Sequence, residues 1–189
     1  NAQISRGLEG LVVKRPDAPY QPGKRNFNWI KLKRHEEGEL TDTLDTVILG
    51  YYAGKGRRAE FGIGAFLVGV YDEKKDEYQT IAKVGTGLSD QEWVDLKKQC
   101  DKYIVPDKPS SVICASEHTP DVWVEPELVA IILADEITLS PTHSAGRTED
   151  SSGMALRFPR FMGFAVDKRP TQATTVSECR RLFDLQYAR

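Results

Sequence analysis

Apolar and polar residues alternate with a period of two along much of this chain, a pattern typical of half-buried β-strands. The stretch W-I-K-L-K-R, which begins at Trp29, shows it most clearly. Lys31 and Lys33 share one face of the predicted strand with Trp29, while Ile30 and Leu32 are predicted to face a core. Two lysines two positions apart lie about 7 Å from each other on a strand. Either an anion such as a polyphosphate lies between them, or the lysines extend into solvent from an exposed face.

A second short strand is predicted at residues 8–14, with the sequence LEGLVVK. Proline- and glycine-containing turns separate it from the lysine strand. Two strands are too few to form a domain of their own. After them, the polar and acidic residues 35–39 predict a hinge.

From residue 40 onwards the pattern predicts an antiparallel β domain with one internal helix. A glycine-rich basic turn is expected at 54–58 and a charged turn at 72–77. Ser89 followed by Glu92 is a capping box that opens a helix reaching about Tyr103. The first three strands of this domain are predicted at 43–53, 61–71 and 78–84.

The remaining elements complete a mainly β domain. Residues 128–138 predict one long apolar strand, with a helix as the alternative, and 142–153 predict a polar loop. About five strands with a helix after the third match the element order of an OB-fold, a five-stranded barrel. An SH3-like barrel or a small sandwich would fit the same strand count. Further short strands are predicted at 112–115 and 122–124, and a terminal helix at 176–187.

Composition and charge narrow the class of protein. Hydrophobic residues make up 40% and charged residues 29% of the 189, as in soluble globular proteins, and no apolar run is long enough to span a bilayer. Residues 1–34 carry eight basic against two acidic side chains, whereas the remainder carries eighteen against twenty-six. The basic opening segment suits a phosphate ligand. The absence of an initiator methionine suggests a piece of a longer protein.

The cysteines and histidines do not have the spacing of a zinc site. Free thiols in a reducing compartment are the expected state of the cysteines. The residues concerned are Cys100, Cys114, Cys179, His35, His118 and His143.

Three strings occur in a characteristic order, E-G-L-V-V-K at 9–14, W-I-K-L-K at 29–33 and L-R-F-P-R-F at 156–161. Together they resemble the ATP-dependent DNA ligases of the covalent nucleotidyltransferase superfamily, and most closely the replicative type of eukaryotes and archaea. The likeness continues in shorter strings at 42–45, 85–90, 139–141 and 167–175. It implies that residues 1–39 are the last strands of an adenylation domain with its hinge, and that residues 40–189 form the OB-fold domain.

The resemblance implies a three-step reaction that seals nicks in duplex DNA. A lysine attacks the α-phosphate of ATP to give lysyl-AMP, the AMP passes to the 5′-phosphate of the nick, and the 3′-hydroxyl displaces it. ATP and Mg²⁺ are the implied cofactors, and nicked duplex DNA is the implied partner, with a sliding clamp as a further partner of the parent enzyme. The implied setting is intracellular, a prokaryotic cytoplasm or a eukaryotic nucleus, in DNA replication, repair and recombination. The chain itself is expected to be monomeric and away from membranes.

The resemblance assigns roles to residues of the first segment. Glu9 matches a metal-binding carboxylate, with a surface acid as the alternative. Lys14 and Arg25 match nucleotide-binding residues, although both could instead bind the DNA backbone. Lys31 matches the catalytic lysine on the reacting α-phosphate, and Lys33 the second basic residue of that motif.

In the OB domain, Arg157, Arg160 and Lys168 match groups that orient the leaving pyrophosphate when this domain swings over the ATP site. Phe158 and Phe161 are expected to anchor the two arginines in the core. A further basic cluster is expected to contact DNA, with a merely solvated turn as the alternative; it comprises Lys55, Arg57 and Arg58.

Three positions depart from the family pattern. None of the thirteen lysines is followed by x-Asp-Gly, so the nucleophile motif is missing and this chain is not expected to form lysyl-AMP by itself. Ala165 stands where the family has an arginine, and His35 where it has a hinge acid. Two rival interpretations remain open, a capping-type nucleotidyltransferase or RNA ligase, and a freestanding nucleic-acid-binding OB module.

Overall fold

The computed structural model describes residues 10–19, 28–33 and 42–187, with the backbone alone at 10–11, 31–33 and 187. The chain divides into two compact units, Asn1–Glu37 and Gly38–Arg189. We refer to them as the hairpin unit and the barrel unit. The predicted hinge at 35–39 lies outside the described residues.

The hairpin unit contains the antiparallel strands β1 (Gly10–Lys14) and β2 (Trp29–Lys33). Both predicted strands are confirmed over these residues. Ile30 is 49% exposed, however, and Val13 48%, so the prediction that Ile30 faces a core is wrong for this structure. Two strands provide no second layer against which an apolar face can be buried.

The barrel unit opens with the antiparallel strands β3 (Leu44–Tyr52), β4 (Ala65–Asp72) and β5 (Glu77–Val84). The basic turn is extended into a 3-10 helix, Gly56–Phe61, which ends at Gly62 in the left-handed conformation (φ 69°). The strand predicted from residue 61 therefore starts only at Ala65. Bulges in both strand pairings increase the local twist and curl the sheet.

Helix α1 (Asp90–Cys100) follows β5, as predicted. Its capping box is present, since the Glu92 backbone N–H donates to Ser89 Oγ and the Ser89 backbone N–H donates to Glu92 Oε2. Trp93, Leu96 and Cys100 form its buried face. The edge-to-face contacts of Phe66 with Trp93 and with Phe161 join this helix to the core, at centroid distances of 6.4 and 5.9 Å.

The remaining elements are short. The single strand predicted at 128–138 is wrong, because the strands β9 (Val129–Leu133) and β10 (Glu136–Ser140) are separated by Ala134 and Asp135 and pair with different partners. The predicted terminal helix is confirmed as α2 (Val176–Tyr187). The strands are β6 (Ile104–Val105), β7 (Val112–Ile113), β8 (Val122–Val124), β9 (Val129–Leu133), β10 (Glu136–Ser140), β11 (Gly153–Arg157) and β12 (Arg160–Phe164), and short 3-10 helices occupy Asp101–Tyr103, Ser116–His118 and Pro170–Gln172.

The main sheet runs β12-β9-β3-β4-β5-β7, with β8 also paired to β3 and β6 to β8, while β10 and β11 form a separate ladder. The Phe161 N–H donates to the Thr86 carbonyl at 3.0 Å, which brings β12 to the segment after β5 and curls the sheet towards closure. The mainly β class and the OB-type order are confirmed. The strand number of five is too low for the described part of this unit, because several connections form short strands of their own.

The three cysteines are free, and Cys100 and Cys179 are buried. Over the described residues, no group of three or more acidic, histidine or cysteine side chains is placed to hold a metal ion. Neither described helix combines the length and apolar character that crossing a membrane requires.

Candidate phosphate-binding interface

Strand pairing sets the positions of the lysines in the hairpin unit. Pairing of the two strands sets Lys14 opposite Trp29, Val12 opposite Lys31 and Gly10 opposite Lys33. The Lys14 ammonium lies 4.7 Å from the centroid of the Trp29 ring, which is a cation–π contact. Lys31 and Lys33 occupy alternate positions of β2, two and four residues after Trp29.

Glu9 and Arg25, the predicted metal ligand and nucleotide contact, lie outside the described residues. The roles of Lys31 and Lys33 rest on their positions in the strand, since the structure describes only their backbone.

In the barrel unit, residues 157–160 form a tight turn between β11 and β12, which we call the arginine corner. The break between β9 and β10 runs beside it, because β12 pairs with β9 and β11 with β10. Arg157 Nε lies 3.0 Å from Glu136 Oε1, and Arg160 Nη2 lies 2.7 Å from Asp135 Oδ1. Carboxylates immediately before and at the start of β10 thus orient both arginines. The pairing of β10 with β11 brings these residues together from distant parts of the chain.

Phe158 lies at the tip of the arginine corner in the left-handed region, with φ 51°, and is 56% exposed. The prediction that it is a core anchor is wrong, because the turn carries its ring outwards. The Arg157 guanidinium lies 5.1 Å from the ring centroid. Phe161 is 4% exposed, so the same prediction is confirmed for that residue.

The loop at 85–87 holds the arginine corner in place. Thr86 Oγ1 donates to the Pro159 carbonyl at 2.9 Å, and the Thr86 carbonyl accepts from Phe161 N–H. Gly87 has φ 93°, and a Cβ built there would lie 2.5 Å from the Phe161 nitrogen. This support was not predicted, although the two glycines of the string G-T-G were the available signal.

The basic cluster at 55–58 divides into exposed and anchored residues. Arg58 Nη1 donates to the Gly64 carbonyl at 2.8 Å, and its guanidinium lies 4.9 Å from the Trp93 ring centroid. A Cβ built on Gly85 would lie 3.6 Å from Arg58 Nη1, which places Arg58 against the loop that supports the arginine corner. Lys55 is exposed, and Arg57 forms an exposed ion pair with Asp90 at 3.4 Å, which contributes little to stability.

Lys168 lies apart from the arginine corner. Strand β12, about 15 Å long at the rise of a strand, begins at Arg160 and lies between it and Lys168 along the chain. It forms an ion pair with Asp45 at the start of β3, and the hydrogen bond to this carboxylate raises the pKa of the Lys168 ammonium. Thr174 fixes Asp45 in turn, donating its N–H to the Asp45 carbonyl at 2.8 Å. Ala165 is buried at 6% exposure.

Arg157, Arg160 and Lys168, the cations predicted to orient pyrophosphate, therefore each have a carboxylate partner in their own unit, namely Glu136, Asp135 and Asp45. A phosphate oxyanion accepts the same charge-assisted hydrogen bonds from arginine and lysine. A ligand that binds these cations has to share or replace their contacts with the carboxylates.

An OB-type barrel with an arginine corner, together with a lysine-bearing hairpin, has the features of the C-terminal part of a covalent nucleotidyltransferase. The family described as ATP dependent DNA ligase C terminal region matches residues 59–168, and the ATP dependent DNA ligase domain matches residues 1–33. This chain belongs to the ATP-dependent DNA ligase family.

Individual relatives agree with this assignment. The chain is 56% identical over 181 residues to a probable DNA ligase of Dictyoglomus turgidum, covering 95% of this chain and 31% of that protein. It is 42% identical over 186 residues to a DNA ligase of Pyrobaculum islandicum, covering 97% and 31%. The chain thus spans about a third of the length of these curated relatives.

A solved structure is also similar. The ligase domain of M. tuberculosis LigD is 29% identical, with a TM-score of 0.54, and the match covers 92% of this chain and 49% of that domain.

Proposed function

We propose that this chain is part of an enzyme that seals nicks in duplex DNA through lysyl-AMP and DNA-adenylate intermediates. Residues 1–39 supply the last strands of its adenylation domain and the hinge, and residues 40–189 supply the OB domain. The family assignment supports the reaction class, and the missing Lys-x-Asp-Gly motif means that the nucleophile is not supplied by these residues.

The arginine corner carries this proposal, because it lies beside the basic cluster at 55–58. Thr86 bonds to the corner, and Arg58 contacts the preceding Gly85, so five cationic residues gather at one end of the barrel. Such groups fit phosphate oxygens and bind any sequence, with an affinity that falls as salt rises. The cationic residues concerned are Lys55, Arg57, Arg58, Arg157 and Arg160.

On the ATP side, Lys31 binds the α-phosphate and Lys33 lies beside it, while Lys14 and Arg25 contact the nucleotide. Each chemical step develops negative charge on phosphoryl oxygens, which preplaced cations stabilise. Arg157, Arg160 and Lys168 orient the pyrophosphate. Mg²⁺, held with the help of Glu9, would supply further positive charge at the phosphates.

The proposed partner is nicked duplex DNA, and a sliding clamp is proposed as a further partner of the parent enzyme. We expect the enzyme to work inside the cell, in DNA replication, repair or recombination, and the isolated chain to be monomeric.

A chimera tests the proposal. This chain replaces the matching residues of a full-length relative, and nick sealing is measured with ATP and, separately, on a nick adenylated beforehand. We expect the chimera to seal nicks and Lys31→Ala to lower sealing roughly a hundredfold or more, as loss of one transition-state contact does. Lys98→Ala, an exposed lysine on α1, is the matched control.

The variant Arg157→Ala distinguishes the adenylation step from the final sealing step. It should impair formation of the enzyme adenylate while leaving most of the sealing of the preadenylated nick. A folded chimera that seals no nick, or a Lys31→Ala variant with the activity of the Lys98→Ala control, would contradict the proposal.

A further inference from the structure

We propose that a cleft at the end of the barrel opposite to the basic cluster at 55–58 is a second binding site for phosphate groups. The cleft has a volume of about 450 Å³ and lies between the β4–β5 turn, the loop at 146–151 and the start of α2. The source of the phosphate is either the backbone of the DNA or a free polyphosphate, and the DNA alternative rests on the proposed function.

The charge of the cleft contrasts with that of its surroundings. Its lining carries four basic residues against two acidic ones, whereas residues 35–189 as a whole carry eighteen against twenty-six. The basic residues come from three separate segments, and hydroxyl groups lie among them. The basic residues are Lys74, Lys75, Arg147 and Arg180, and the hydroxyl residues are Thr148, Ser151 and Ser177.

The two acidic residues of the lining are already engaged. Asp72 is 9% exposed, and its carboxylate accepts from Gln79 Nε2 at 2.9 Å and from the Lys74 N–H at 3.0 Å. Glu73 Oε1 accepts from Ser177 Oγ at 3.1 Å. Neither acid forms an ion pair with a cation of the cleft among the described residues. The acids that face the cleft cations lie outside the lining, since Glu77 pairs with Lys75 and Glu117 is close enough to Arg147 to interact with it electrostatically.

The cations differ in how firmly they are held. Arg180 Nη2 donates to the Gly146 carbonyl at 3.4 Å, which orients its guanidinium at the mouth of the loop. Lys75 lies 3.7 Å from Glu77. Within the described part of the chain, Lys74 Nζ and the Arg147 guanidinium form no hydrogen bond or ion pair. Lys74 is therefore available to a ligand without breaking an internal contact, and a ligand at Arg147 competes only with the electrostatic attraction of Glu117.

The loop that carries Arg147 is preorganised. The Gly146 N–H donates to Gln79 Oε1 at 2.7 Å, and the Arg147 N–H donates to the Ser144 carbonyl at 3.0 Å. Thr148 and Ser151 close the loop on themselves, with their hydroxyl oxygens 2.8 Å apart. A fixed loop loses little conformational entropy when it binds an anion.

The first turn of α2 is not the source of the binding energy. Thr175 and Glu178 cap this helix reciprocally, with the Glu178 N–H donating to Thr175 Oγ1 and the Thr175 N–H donating to Glu178 Oε2. The arginine, lysine and hydroxyl groups therefore provide the recognition, and they do so with the geometry that suits a phosphate oxyanion.

The distance between the two basic regions is compatible with one DNA ligand. Strand β4 joins them and spans roughly 25 Å at the rise of a strand. Phosphates along one DNA strand are spaced about 3.4 Å apart along the helix axis, so about seven nucleotides cover this length.

Two binding measurements on this 189-residue chain test the site. Pyrophosphate is titrated by calorimetry, and a fluorescent nicked duplex is titrated by anisotropy over a range of salt concentrations. Arg180→Gln and Arg147→Gln remove cations of the cleft. Arg181→Gln, on the same helix and exposed, is the matched control.

If the cleft binds DNA, each cleft variant should weaken nicked-duplex binding and reduce the salt slope by about one, while Arg181→Gln retains the slope. If it binds free polyphosphate, the cleft variants should lose the pyrophosphate heat without changing duplex affinity. Thermal melting of every variant shows that the fold is retained.

The proposal is overturned if both ligands bind the cleft variants and the control equally, or if pyrophosphate and duplex both fail to bind the unmodified chain. A third outcome is that duplex binding depends on Arg157 but not on Arg147 or Arg180, and that pyrophosphate does not bind. This outcome overturns the proposed cleft site and leaves the proposed DNA-sealing function standing. Pyrophosphate binding at the cleft without any duplex binding supports the cleft and counts against the proposed DNA-sealing function.

Discussion

At the scale of single residues, Phe158 shows how a turn changes the meaning of an aromatic side chain. Alternating patterns usually place a phenylalanine between two arginines in the core. The left-handed backbone at Phe158 instead directs the ring into solvent between Arg157 and Arg160, beside the proposed DNA contacts. An exposed ring between two arginines suits contact with nucleic acid, where aromatic groups stack or insert.

We predict that Phe158→Asn separates stability from binding. Asparagine tolerates the left-handed region better than phenylalanine, so the free energy of unfolding should stay the same or rise by up to about 1 kcal/mol. Affinity for a nicked duplex should fall, because the exposed ring is lost. Chemical denaturation and anisotropy measure the two effects, and a large loss of stability would show that Phe158 is a core residue after all.

His143 is a second residue whose environment only the structure defines. Its ring stacks on His118 with centroids 3.8 Å apart, and His118 Nε2 lies 2.9 Å from Thr142 Oγ1. His143 Nδ1 is buried and has no hydrogen-bond partner among the described residues. Burial, and secondarily the charge of His118, lower the pKa of His143 to about 4.

This lowered pKa predicts a pH-dependent stability. The unfolded chain takes up a proton near pH 6.5 and the folded chain only near pH 4, so stability is lost as pH falls through this window. Between these two pH values, the titration of His143 lowers the free energy of unfolding by about 3 kcal/mol. In His143→Phe, which keeps the stacked ring, most of this acid dependence should disappear.

Denaturant titrations at pH 7, 5.5 and 4 measure the difference between the two proteins. The carboxylates contribute nearly equally to both proteins, so the difference reports His143 together with its interaction with the stacked His118. Parallel pH profiles for the two proteins would contradict the lowered pKa.

At the scale of elements, the closure of the barrel depends on the contact between β12 and the loop at 85–87. The Phe161 ring packs on Phe66 while its N–H bonds to Thr86, so one residue joins the core and the closure. The backbone approach at Gly87 leaves no space for a Cβ. This contact between β12 and the loop at 85–87 also fixes the position of the arginine corner.

Two glycines with positive φ provide a matched comparison. Gly87→Ala introduces a Cβ 2.5 Å from backbone atoms of Phe161, whereas Gly56→Ala, with φ 59°, meets no atom within 4 Å. We expect Gly56→Ala to cost about 1 kcal/mol, from backbone conformation alone. Gly87→Ala should cost at least about 2 kcal/mol more, because the backbone must move. Equal effects in urea denaturation would show that the barrel does not close through this contact.

Prediction from sequence succeeded for elements whose signals are local. The capping box at Ser89 and Glu92 and the strand-forming segments of β3 and β5 were identified because they depend on neighbours along the chain. The break at Ala134 and Asp135 was missed, since apolar residues continue across it. Whether such a run is one strand or two depends on which strands pair with it.

At the scale of the whole molecule, the chain carries the cationic motifs of the family but not its nucleophile motif. The hairpin unit carries the lysine strand, and the barrel unit carries the arginine corner, but neither contains a Lys-x-Asp-Gly motif. The reaction of the family begins with a covalent lysyl-AMP.

We therefore predict that the chain forms no covalent adenylate. Incubation with labelled ATP and Mg²⁺, followed by denaturing electrophoresis, should leave the chain unlabelled. A full-length relative treated in the same way is the positive control. A labelled band at the mass of this chain would reveal a nucleophile outside the expected motif.

The sequence by itself determined the family, the β class and the identity of the motif residues, because these depend on residue types in a fixed order. Only the tertiary structure showed that Arg157 and Arg160 are held by Glu136 and Asp135, and that the cleft beside Arg180 collects cations from three segments. The physical reason is that strand pairing and barrel closure bring together residues far apart in the chain, and no local pattern encodes those contacts.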